Sequence, residues 1–211
     1  TRAIGDAAKH VKVLTTRPWR PGRAEVPRNV TLSRWAVLRD GDGSVRGYAQ
    51  YLSFDIPLAV RLLFTRRPSV VLCEPPPTTG AVTRVVCWLR RIPYVYVAAD
   101  VLADAAAANG ESKAVVKVVA WLERFALRGA TEVIALSQAV AQRVEQLADR
   151  GARVLPHSVA PAEPSTTPAG FPSTDGPVFL YAGTATEWMG SEVFIEAFPK
   201  VAEQFPGAQL V

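Results

Sequence analysis

Unbroken apolar runs alternate with amphipathic stretches along most of the chain. Val70–Leu72, Tyr94–Ala98 and Thr131–Leu136 are short runs of the kind expected of strands covered on both faces in a parallel sheet. Val11–Thr15 and Arg153–Leu155 read as further short strands, and Asn29–Leu38 alternates apolar and polar residues like a strand nearer an edge. Helices are expected at Tyr48–Phe64, interrupted or begun at Pro57, and from the Glu74–Gly80 loop to Arg91. Two more are expected at Ser112–Arg128 and from Ser137 to near Gly151. Strand and helix take turns, which predicts an α/β fold with a parallel sheet and helices on both faces.

Local signals refine the boundaries. Pro75, Pro76 and Pro77 cannot extend a strand ladder, so the strand before them stops near Glu74, and Thr78 or Thr79 is expected to cap the next helix. Ser137 is a second N-cap candidate, and Gly129 stands where a C-cap glycine is expected. The Ala-rich stretch Val101–Gly110 is expected to be a loop. On Ser112–Arg128 the apolar face is expected to hold Val115, Val118, Val119, Leu122, Phe125 and Ala126. In an open parallel sheet ligands sit beyond the carboxyl ends of the strands, which singles out Glu74–Gly80 and Asp100–Asp104.

Residues 160–177 are rich in Pro, Ser, Thr and Gly and read as a linker. They separate a first domain, 1–159, from a second stretch, 178–211. That stretch opens with a strand at Val178–Tyr181 and a loop holding Gly183 and Gly190. A helix follows from Ser191 to about Phe205, with an apolar face of Val193, Phe194, Ala197, Val201 and Phe205, and then the start of another strand. One β–α unit cannot bury its own faces, so this second domain is expected to be incomplete in the 211 residues.

The net charge of +5 fits an anionic small molecule or a membrane surface. Nucleic acid is not expected as a partner, since the arginines are scattered and not interleaved with aromatics in one stripe. Arg17, Arg20, Arg23 and Arg28 fall in a Pro-rich segment, read as a solvated loop or an anion site. Lys113, Lys117, Arg124 and Arg128 share one helical stripe, either a solvated face or a docking stripe for anionic lipid. Arg66 and Arg67 follow a helix C-terminus, where cations are favoured whatever the function. Cys73 and Cys87 have no metal-ligand spacing and read as buried reduced thiols, which points to a reducing, cytoplasmic setting. No run reaches the ~20 apolar residues of a membrane span, and no leader is expected.

Several ordered motifs carry a family resemblance. They are the strand–loop–helix Val70–Arg91, Ile92-Pro93-Tyr94-Val95, Trp121-Leu122-Glu123-Arg124, Ala130–Ser137 and Val154-Leu155-Pro156-His157. Tyr181-Ala182-Gly183-Thr184 and Met189–Phe198 complete the set. In this order and spacing they resemble the retaining glycosyltransferases of family 4, with the GT-B architecture. The resemblance implies a Rossmann-like acceptor-side domain followed by the first β–α unit of a second Rossmann-like domain that binds a nucleotide sugar. It also implies a chain truncated at both ends and inactive as this fragment.

The implied chemistry is metal-independent transfer of a sugar from a nucleoside-diphosphate sugar, the donor substrate, to a hydroxyl acceptor, with no separate cofactor. Backbone amides at Gly183, Thr184, Gly190 and Ser191 would hold the diphosphate, although a glycine-bearing β–α loop is also ordinary structure. Asp100 would orient a hydroxyl or act as a base; the alternative is a loop-stabilising carboxylate. His157 would approach the donor, or serve only its turn. Thr184, Met189 and Ala99 stand where many relatives carry Arg, Lys and His, and Ser158 replaces a usual Gly. These departures leave open a non-catalytic remnant or binding module of the same fold.

Overall fold

The computed structural model describes residues 6–19, 26–41, 43–45, 47–156, 175–183 and 190–211. The chain divides into two compact units, Thr1–His157 and Ser158–Val211.

In the first unit, β1 (Val11–Thr16) pairs in parallel with β2 (Val30–Trp35) as a two-stranded sheet. A second, four-stranded parallel sheet runs in chain order through β3 (Val71–Cys73), β4 (Tyr94–Ala98), β5 (Glu132–Ala135) and β6 (Arg153–Val154). The connections are helical: α1 (Tyr48–Phe64), α2 (Pro77–Arg90), α3 (Leu102–Ala108), α4 (Lys113–Gly129) and α5 (Gln138–Ala148). This is the expected α/β architecture, a parallel sheet flanked by helices. Because side chains alternate along a strand, each strand offers two different faces. Tyr94, Tyr96 and Ala98 are buried in one core with Val86 and Cys87 of α2, Ala126 and Leu127 of α4, and Val144 of α5. Val95, Val97 and Ile134 on the other face are half-buried, and Leu72 beside them is 48% exposed.

Several boundaries differ from the sequence expectation. The Ala-rich segment is not all loop: Leu102–Ala108 is helical, since alanine is the strongest helix former and the first amides find a distant carboxylate. Neither Thr78 nor Thr79 caps α2. The N-cap is Pro76 and Pro77 takes the first turn, where a missing N–H costs nothing. Pro57 lies inside an unbroken α1. Gly129 is the last residue of α4, and Ala130 is its cap. Arg91, in the left-handed conformation, closes α2. Ser112 and Ser137 do cap their helices, accepting from Val115 N and Val140 N. The expected apolar face of α4 is rotated: Val118 is exposed, while Glu123 is buried with Ala126 and Leu127.

The second unit is a β–α–β piece. β7 (Val178–Phe179) pairs in parallel with β8 (Gln209–Leu210), and α6 (Ser191–Gln204) connects them. No residue of α6 is buried; Phe198 meets Phe179 edge-on and Phe194 tilts against Tyr181. The proposed linker at 160–177 falls mostly outside the described residues, as do Arg20 and Arg23.

Candidate functional site at the carboxyl edge of the sheet

β3 and β4 are hydrogen-bonded neighbours and end at the same side of the sheet. β3 gives way to Glu74 and the prolines, and β4 to Ala99 and Asp100, so two exposed carboxylates follow adjacent strands. Among the described residues the Asp100 carboxylate has no hydrogen bond or ion pair, which leaves it available to a ligand.

What fixes the loop that carries Asp100 is Glu123, from the middle of α4. Its side chain is 1% exposed. Oε1 accepts from Leu102 N at 3.1 Å and Oε2 from Ala103 N at 3.2 Å, so one carboxylate satisfies two first-turn amides of α3. Burial pushes the Glu123 carboxyl above its ordinary range, and the two amides pull it back. Arg143 of α5 holds the other side of α3, donating from Nε and Nη2 to the two oxygens of Asp104 at 2.6 and 2.7 Å. That pair holds Asp104 below its usual value. The expected functional loop at Asp100–Asp104 is therefore clamped by α4 and α5. In the sequence Glu123 stands out only as part of the Trp121-Leu122-Glu123-Arg124 motif. Its signal was a lone acid among Leu122, Phe125, Ala126 and Leu127.

Behind the β3 loop lies a second buried carboxylate. Asp55 of α1 is 1% exposed and accepts from Thr79 Oγ1 at 2.5 Å. Burial raises it, and the hydroxyls of Thr78 and Thr79 lower it. Only the Thr79 contact has good hydrogen-bond geometry; Asp55 Oδ2 and Thr78 Oγ1 lack partners. Below them α2 comes close to the sheet at Gly80. A Cβ there would lie 2.6 Å from Tyr96 Cε2 and 2.7 Å from the Ala126 methyl. The pair Asp55–Thr79 and the close approach at Gly80 together set the position of the α2 N-terminus.

Cys73 and Cys87 are free and buried, as expected. Burial pushes their thiols up to about 12 and about 11, so neither is a nucleophile near neutrality.

In the second unit, Gly190 is the N-cap of α6 in the left-handed conformation, and Ser191 begins the helix without a side-chain cap bond. Gly183 follows β7, with the Tyr181 ring against it. Thr184 and Met189 between them, and His157, lie outside the described residues. Asp100 belongs to one unit and Gly183, Gly190 and Ser191 to the other.

Among the described residues, no group of three His, Cys, Asp or Glu could hold a metal ion. No described helix is long and apolar enough to cross a membrane.

A search of curated proteins returned no match. Residues 2–162, well over half of the chain, match the model of the glycosyl transferase 4-like domain. The strand–loop–helix motifs and the clamped loop after β4 thus lie inside the matched region, and the chain belongs to the glycosyl transferase 4-like family.

Proposed function

We propose that the protein transfers a sugar, with retention, from a nucleoside-diphosphate sugar to a hydroxyl acceptor. Family membership supports the reaction class. The observation that carries the reading for this chain is the buried Glu123 clamp, which holds an exposed Asp100 at the carboxyl end of a central strand. Asp100 orients the acceptor hydroxyl or takes its proton. On the donor side, the roles implied by the family are diphosphate binding by the amides of Gly183, Thr184, Gly190 and Ser191 and donor contact by His157. The reaction runs without a metal, because helix-terminal amides stabilise the diphosphate charge. The buried thiols support a reducing, cytoplasmic compartment.

A second reading, a binding module without transfer, is favoured by Ala99, Thr184 and Met189, which stand where the family resemblance implies His, Arg and Lys. A thermal-shift panel of nucleoside-diphosphate sugars, run on the protein with a complete donor-side domain, tests both. Protection by one of them, and not by the matching free sugar, supports donor binding; a flat panel removes the transferase reading. If a donor binds, Asp100→Asn separates the two: it abolishes transfer in the first reading and leaves binding unchanged in both.

A further inference from the structure

We propose that the outer face of the α1–α2–α4 layer docks on an anionic lipid surface. The proposal is independent of sugar transfer.

The charges on these three helices are sorted by sign. Their only acids are Asp55 and Glu123, and both are buried at 1% exposure. Every charge left toward solvent is positive: Arg84 and Arg90 on α2, Lys113, Lys117, Arg124 and Arg128 on α4, and Arg61 of α1, whose guanidinium lies over Trp35 of β2. The guanidiniums are anchored by neutral oxygens. Arg84 donates to Phe125 O, Arg90 to Leu62 O, Arg124 to Leu147 O and Arg128 to Ala148 O. Among the described residues none of these cations pairs with a carboxylate, so their charge is not cancelled.

The same three helices also expose much apolar surface. On α1, Leu52, Ile56, Val60 and Leu63 are exposed at helical spacing, ending in Phe64 at 80%. α2 adds Trp88 at 76% and Leu89; α4 adds Val118 and Trp121. A helix that is apolar all round, as α1 nearly is, normally has cover on every side. Between α2 and α4 a hollow of about 250 Å³ is lined by Arg84, Trp121, Arg124, Phe125 and Arg128, three guanidiniums and two rings. Arg84 lies over the Phe125 ring at 4.0 Å.

Cations alone would suit any polyanion. A phosphate backbone has no use for the aliphatic row of α1, whereas a bilayer accepts both: apolar side chains and tryptophans at the headgroup boundary, cations at the anionic headgroups. The face is wider than the α4 stripe read from sequence. It also has a different division of labour, since Arg124 and Arg128 are tied to the end of α5.

Flotation of the 211-residue chain with vesicles tests this. Vesicles containing phosphatidylglycerol should retain the protein at low salt and release it at high salt, and pure phosphatidylcholine should not retain it. Among the described residues Lys113 and Lys117 make no hydrogen bond or ion pair, so Lys113→Glu/Lys117→Glu should keep the melting temperature and weaken retention by about tenfold or more. Trp88→Ser should weaken it as well, with the cations intact. Absent retention, or retention unchanged by charge reversal, overturns the proposal. A dimer in solution that Trp88→Ser dissolves, without vesicle binding, overturns it in favour of a second copy of the chain.

Discussion

Glu123 and Leu102, twenty-one residues apart in sequence, meet as carboxylate and amide at 3.1 Å. The contact brings an acid from the core side of α4 to the first turn of α3, next to Asp100. Two amides depend on it, because Ala103 N uses the other oxygen.

Removal of that acid should therefore be expensive for the fold. A buried amide left without a partner costs about 1–3 kcal/mol, so Glu123→Ala is expected to lower stability by about 2–4 kcal/mol. Glu123→Gln keeps one acceptor oxygen and should lower it by about half as much. Urea unfolding measures both, and hydrogen exchange should show the loss first at Leu102 and Ala103.

Asp55 gives the pH dependence a sign. Its folded carboxyl is raised from an ordinary 3.8, with burial the main cause. Between that value and the raised one, the folded chain holds a proton that the unfolded chain has released. Stability from this group is full at low pH, falls as pH climbs through the window, and is flat above it. Urea midpoints of the protein and of Asp55→Asn, which cannot titrate, should diverge in that order. A difference that grew in the protein's favour with rising pH would refute the assignment.

Gly80 is held by space rather than by conformation. Gly80→Ala places a methyl 2.6 Å from a tyrosine ring and 2.7 Å from the Ala126 methyl. Both neighbours are buried at 0% exposure and cannot swing aside. Overpacking of this kind costs about 1–3 kcal/mol. A fall in melting temperature is expected, and Gly80→Ala/Ala126→Gly should recover part of it.

The two thiols should be silent in the native state. With Cys73 and Cys87 pushed up to about 12 and about 11 and buried, a thiol reagent at neutral pH should label neither until urea is added, and then both.

The parts of the fold that were legible in the sequence obey short-range rules. β4 shows as an apolar run, and Ser112 and Ser137 announce their helices because a cap bond spans three residues. The parts that were not legible depend on partners far along the chain. α3 looked like a loop because its stabilising carboxylate lies some twenty residues downstream. Thr79 looked like a cap because Asp55, its partner, lies twenty-four residues upstream. The face of α4 differs from its pattern for the same reason: Glu123 is buried against the α3 amides, and Val118 is exposed. As for the site, strand period alone placed Asp100 at a carboxyl end. The support beneath it could be seen only in three dimensions.

Glu123 and Arg124 are consecutive residues that grip two different helices. One reaches inward to the loop beside Asp100, and the other reaches out to the solvent side, where it holds the end of α5. A rigid rod with a grip at each flank cannot slide along its axis without straining both. α4 thereby ties the end of α5 to the loop beside Asp100.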